Sequence, residues 1–273
     1  MDVNNLKNHA LNIRRNIVQM VYDAQSGHPG GSLGCADILT YLYFEEMNVN
    51  KDNVATTDRD RFVLSKGHCS PALYAVLHEA GLLGEDLKTF RQINSKLQGH
   101  PNMNYVAGVD MSTGSLGQGI SCAVGMAIAN KIDGNDNRVY ALVGDGESEE
   151  GLVWEALMAA AHYKLDNLCV IFDLNHLQID GNVEDVVGPL PLAEKAKAFN
   201  AAVTECDGHD FASLAEAFAF ARQTKDRPTV IVAHTVKGKG VSYMENSCPW
   251  HGVAPNDKEY EQAMTELKAQ VIA

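Results

Sequence analysis

The 273-residue sequence has no stretch approaching the roughly 20 consecutive apolar residues that a membrane-spanning helix needs. No apolar leader precedes the first helical pattern, so secretion is not expected. CxxC pairs are missing as well. The six cysteines (Cys35, Cys69, Cys122, Cys169, Cys206 and Cys248) make no disulfide scaffold, and four lie in apolar surroundings, as suits a reduced, cytoplasmic protein. Positive charge is scarce: 22 Lys and Arg against 35 Asp and Glu give a net charge of −13. That balance disfavours nucleic acid and leaves any phosphorylated ligand dependent on local cations. Lys237-Gly238-Lys239-Gly240 lacks the spacing of a Walker A loop and reads as a cationic turn off a strand end, either a phosphate contact or solvated. With 45% hydrophobic and 21% charged residues, the rest is ordinary for one large α/β domain with a sizeable core.

The most informative stretch runs from Val139 to Gly181. An apolar run, Val139 to Val143, enters Gly144-Asp145-Gly146; a helix starting near Glu149 follows; a second apolar run, Leu168 to Phe172, leads into Asn175 and the polar loop to Gly181. In a parallel α/β unit both polar points fall at carboxyl ends of strands, where such sheets bind ligands. Asp145 and Asn175 could then meet across adjacent strand tips. A carboxylate, an amide oxygen and a backbone carbonyl are hard ligands suited to Mg²⁺ or Ca²⁺. Gly144 and Gly146 would let backbone N–H groups close on an anion. A tight turn followed by a structural Asn is the alternative.

Elsewhere, Leu6, Ala10, Ile13, Ile17 and Met20 mark a helix over residues 3–23. Ser26-Gly27-His28-Pro29-Gly30-Gly31 reads as a loop that no helix or sheet would tolerate, and it fixes His28 in place, facing a ligand or solvent. A helix over Cys35–Phe44 and a strand over Asp58–Ser65 precede His68, which either contacts a ligand or caps local backbone. Residues 84–98 form an amphipathic connection in which Leu87 and Phe90 pack while Lys88 and Arg91 stay solvated. His100 opens a polar segment to Gly114-Ser115-Leu116, where Ser115 can cap a helix running to about Asn130. Glu147 and Glu149 read as simple charge complementarity at a helix start. Strands over Ala201–Cys206 and Thr229–Ala233 complete the alternation, and Trp250-His251-Gly252 lies in irregular chain. Residues 1–50 thus form a helical N-terminal segment and 236–273 an irregular C-terminal one, both laid on a single domain.

The Gly144-Asp145-Gly146 turn, Asn175 and the Leu177-to-Gly181 run resemble the thiamine diphosphate motif of transketolases. The likeness extends from the His28 segment to His251, covering nearly the whole chain. It implies a three-layer, doubly wound parallel sheet, the diphosphate-binding domain of that family. It also implies that Asp145, Asn175 and the Leu177 carbonyl hold Mg²⁺ (or Ca²⁺), and that His68, Gly114, Ser115, Leu116, Gly144, Gly146, Ile179 and Lys237 contact the cofactor. His28, His68, His100 and His251 would line the sugar channel and donate hydrogen bonds to sugar hydroxyls and phosphate, and one or two of them would also relay protons near neutral pH. Glu150 would join a hydrogen-bonded network between active sites. The implied reaction moves a two-carbon ketol unit from a ketose phosphate, such as a pentose phosphate, to an aldose phosphate, with the thiazolium as electron sink.

The family's pyrimidine-binding and C-terminal domains find no room here, and with them go the glutamate and main arginines they carry. The chain is therefore expected to be the N-terminal subunit of a split transketolase, a homodimeric core within an α2β2 heterotetramer, inactive without its partner. Two rivals stay open: a deoxyxylulose-phosphate synthase or 2-oxo-acid dehydrogenase subunit, and a noncatalytic structural subunit. A metal-dependent phosphohydrolase lacks a second carboxylate cluster.

Overall fold

A computed structural model describes residues 1–271. Five strands pair in parallel in the order β1-β2-β3-β5-β4: β1 Arg61–Leu64, β2 Val139–Gly144, β3 Leu168–Leu174, β4 Ala202–Asp207 and β5 Thr229–His234. The central strands are mainly apolar because both faces are covered, Asp173 of β3 being a buried charge among them. The side-chain alternation divides them between two cores. Tyr140, Leu142, Cys169 and Ile171 face one side, with α1 (Val3–Ala24), α2 (Pro29–Gly34), α3 (Ala36–Tyr41), α4 (Ser70–Glu79) and, from further along the chain, Phe218. Val139, Ala141, Val143, Val170 and Phe172 face the other, with α5 (Gln118–Asp133) and α6 (Gly151–His162). A short helix, α7 (Val183–Val186), lies in the loop after β3, and α8 (Leu192–Ala198) packs on the α5 side. Next, α9 (Phe211–Gln223), which carries Phe218, covers the first side. The three layers are those expected.

Several local expectations change. The Pro-Gly-Gly run is not a loop but α2: Pro29 occupies the first turn, where its missing N–H costs nothing. Its glycines answer to crowding, since a Cβ on Gly30 would lie 2.7 Å from the Trp250 carbonyl and one on Gly31 2.8 Å from Cys69 Sγ. The helix after the Gly-Asp-Gly turn begins at Gly151, with a 3₁₀ turn over Gly146–Glu149 before it. Ser115 does not cap α5; Gly117, at φ 82°, occupies that position without a side-chain bond. The C-terminal segment is not irregular: it ends in α10 (Asp257–Ala269), started by a capping box between Asn256 and Glu259. Ala263 and Leu267 of α10 are fully buried in the core that α1 enters. No helix among the described residues is long and apolar enough to cross a membrane.

Candidate active site

The parallel arrangement sends the carboxyl ends of four strands to one edge, where a cavity of about 500 Å³ opens. Lys66 follows β1, Asp145 follows β2, Asn175, Leu177, Gln178 and Ile179 follow β3, and Lys237 follows β5; all line this cavity, with Gly31, His68, Leu116, Glu150 and His251.

The register pairs Gly144 with Asp173, so the tips of β2 and β3 lie side by side. One Asp145 carboxylate oxygen accepts from the backbone N–H of Asn175 (2.9 Å) and of His176 (2.6 Å), and the other from Gly146 N–H (2.8 Å). Burial, helped by the Asp173 charge, pushes the Asp145 carboxyl up to about 6. Asn175 Oδ1 accepts from Leu177 N–H at 3.2 Å, and the Leu177 carbonyl accepts from Lys237 Nζ at 3.1 Å. Asp145, Asn175, Leu177 and Lys237 are each under a tenth exposed. Among the described residues the lysine has no carboxylate partner; it also meets His251 Nδ1 at 3.0 Å. Burial and then the Lys66 charge lower its affinity for a proton.

The histidines form one cluster. His28 lies 5.3 Å, ring centre to ring centre, from both His68 and His251, and 6.3 Å from His100; His68 and His251 are 5.0 Å apart. Pro29 and the start of α2 fix His28, the strand-to-helix turn before α4 carries His68, and a 3₁₀ turn over Cys248–His251 delivers His251. Burial first, then neighbouring charge, lowers His28 to about 4 and His251 to about 3; His100 shifts the same way. His28 and His251 are therefore neutral hydrogen-bonding groups near pH 7 rather than proton carriers poised there. His28 Nδ1 is buried without a partner.

Gly114 lies against His100, whose ring a Cβ there would meet at 2.9 Å. Ser115 and Leu116 are exposed at the same rim. Ile179 is 63% exposed, and Glu150 stands exposed at the head of α6.

Glu147 departs most from the expectation drawn from sequence. It is not a solvated helix-start charge but 3% exposed, accepting from Ser65 Oγ, from Gly117 N–H at 2.9 Å and from Gly144 N–H at 3.0 Å. Burial raises its carboxyl, opposed by those bonds. Lys66, which lines the cavity, forms an ion pair with Asp173; the two are 2% and 0% exposed. Burial opposes the Lys66 ammonium, yet the Asp173 charge keeps it protonated well above the usual lysine range. Their only sequence signal is a charge placed at the end of an apolar strand. Arg91, expected in solvent, is half-buried; a Cβ on Gly99 would lie 2.5 Å from its guanidinium carbon, and it donates to Ser26 Oγ at 3.1 Å.

Residues 6–270 match the family model described as the transketolase, thiamine diphosphate binding domain. The chain is 42% identical over 272 residues to an apulose-4-phosphate transketolase subunit from Phocaeicola vulgatus, covering 99% of this chain and 96% of that one. It is 39% identical over 266 residues to the 6-deoxy-6-sulfo-D-fructose transketolase subunit SqwG of a Clostridium species, covering 97% of both. The crystal structure of Campylobacter jejuni transketolase superimposes with a TM-score of 0.91 at 36% identity, over 98% of this chain but only 43% of that one. Strand-tip geometry, histidine cluster and sequence kinship agree: the chain belongs to the transketolase family, as its thiamine diphosphate binding domain.

Proposed function

We propose that this chain is the diphosphate-holding subunit of a thiamine diphosphate-dependent enzyme that moves a two-carbon ketol unit from a ketose bearing a distal anion to an aldose phosphate. A separate polypeptide carrying the pyrimidine-binding domain completes the site. One observation carries the reading: the Asp145 carboxylate bridges two strand tips beside a cavity lined by His68 and His251, with the His28 ring 5.3 Å from both. The relatives named for apulose-4-phosphate and 6-deoxy-6-sulfo-D-fructose support an anionic ketose.

The residues suit a divalent ion and a diphosphate. Asp145 is a desolvated carboxylate that gains from a cation, and Asn175 Oδ1 and the Leu177 carbonyl add hard oxygens. That carbonyl has two lone pairs, so Lys237 and an ion can share it. Mg²⁺ is the ion favoured where phosphate oxygens fill the remaining positions. When bound, the thiazolium supplies the electron sink that ketol cleavage requires. Lys237 neutralises diphosphate charge, Gly146 leaves backbone open to it, and Ile179 covers the ring. His28, His68, His100 and His251 orient sugar hydroxyls through hydrogen bonds. Glu150 faces the partner or a second copy, in an α2β2 assembly. The six unpaired cysteines suit the cytoplasm.

Calorimetric titration with thiamine diphosphate and Mg²⁺ tests this. The chain mixed with its partner should bind tightly, each of the two by itself weakly, and Asp145→Ala should abolish the difference. Equal binding by Asp145→Ala refutes the site.

A further inference from the structure

Lys237 is a buried lysine with no carboxylate at ion-pair distance among the described residues, and its position depends on the turn that carries it. Both ends of that turn are tied to one buried network. Val236 N–H donates to His209 Nε2 at 2.8 Å. The other ring nitrogen, Nδ1, donates to Asp37 at 2.7 Å. Asp37 is held by both terminal nitrogens of Arg14, at 2.9 and 2.6 Å, and Arg14 Nε returns to the Lys239 carbonyl at 3.1 Å. The circuit closes: His209, Asp37 and Arg14 grip the backbone on either side of Lys237. Arg14 and Asp37 are 5% and 6% exposed, and the His209 side chain 13%.

The backbone N–H aimed at Nε2 fixes the tautomer, because that nitrogen must accept; the proton sits on Nδ1, facing Asp37. Beyond the ring, the Lys237 carbonyl accepts from Asn246 N–H at 2.9 Å and Gly238 N–H donates to the Gly30 carbonyl at 2.8 Å, tying the turn to α2. His209 is not on the cavity wall. It reaches the site through backbone alone.

We infer that His209 is a positioning residue for Lys237: its Nε2 holds the Val236–Lys239 turn so that the ammonium stays on the Leu177 carbonyl, aimed at an entering diphosphate. This rests on the function proposed above for the cavity, but the clamp itself can be tested without it.

Three substitutions separate the two ring nitrogens. His209→Gln can place an acceptor oxygen near Nε2. His209→Asn keeps a donor toward Asp37 but has nothing to offer Val236. His209→Phe keeps ring shape and loses both bonds. Amide hydrogen exchange on the full chain, without cofactor, should show Val236 and Asn246 exchanging about tenfold faster or more in the Asn and Phe variants, and near wild-type rates in Gln. Thiamine diphosphate affinity of the chain assembled with its partner should fall about tenfold in Asn and Phe and within about twofold in Gln. In a Lys237→Met background the Asn substitution should cost no further affinity. Unchanged exchange in Asn and Phe, or Gln behaving like Asn, overturns the clamp. A full additional loss in the Lys237→Met background shows that His209 does not act through Lys237. Absence of binding by the wild-type assembly defeats the proposed function and leaves the exchange result to decide the clamp.

Discussion

Replacing Glu147 by Ala removes an acceptor shared by three loops, and the cost can be worked from its partners. Ser65 Oγ and Gly117 N–H use one carboxylate oxygen, and Gly144 N–H uses the other. Gly144 borders the cavity, so its N–H can turn to water; Ser65 and Gly117 are buried and cannot. Each buried donor left alone costs about 1–3 kcal/mol. Loss of the buried charge returns part of that, as the raised carboxyl indicates. The expected net cost of Glu147→Ala is about 2–4 kcal/mol. Glu147→Gln keeps one oxygen for Ser65 and Gly117 and should cost about 1 kcal/mol. Urea unfolding monitored by fluorescence measures both, with the slope m unchanged so that midpoint shifts report stability. A Glu147→Ala chain within about 0.5 kcal/mol of wild type, or a Gln variant as weak as Ala, refutes the reasoning.

Asp37 supplies a pH prediction. Burial opposes its ionised form, but Arg14 and His209 outweigh that and hold the carboxyl down at about 2. A depressed carboxylate stabilises the fold above its unfolded value and loses that contribution as pH falls through the folded value. Asp37→Asn should therefore forfeit about 2 kcal/mol near pH 7 and flatten the decline in stability between about pH 4 and 2; an unaltered acid limb in denaturation curves contradicts this. Lys66→Met strands Asp173, which is 0% exposed, and should cost about 3–5 kcal/mol by urea unfolding; the double variant with Asp173→Leu should recover part of the loss. Gly67→Ala would put a Cβ 2.5 Å from Thr113 Oγ1 and 2.7 Å from Gly114 N, so the His68 and Gly114 loops must separate. It should lower the thermal midpoint and weaken cofactor binding in calorimetry; wild-type values for both would show that the loops yield freely.

Where a local rule governed, residue pattern and structure agree. The stripe from Leu6 to Met20 became α1, with Ile13 and Ile17 fully buried, because an apolar repeat of three and four residues has one helical solution. Apolar runs followed by Gly-Asp-Gly or Asp-Leu-Asn became parallel strands with polar tips, and the spacing of Asp145 and Asn175 anticipated neighbours. Where packing against distant chain decided, the pattern misled. The glycines of α2 signal loop in isolation, yet they sit in a helix, and they are glycines because Trp250 and Cys69 leave no room for side chains.

The sequence by itself determined the five strands, their alternation with helices, and which polar residues stand at strand ends, since these follow from periodicity and backbone propensity acting over a few residues. Only the tertiary structure decided the charge state and partners of those groups. Glu147 is a buried staple, Lys66 faces Asp173, and His28 and His251 are neutral. Each outcome depends on desolvation and on partners contributed by other loops at the same sheet edge, and neither exists until the strands are aligned.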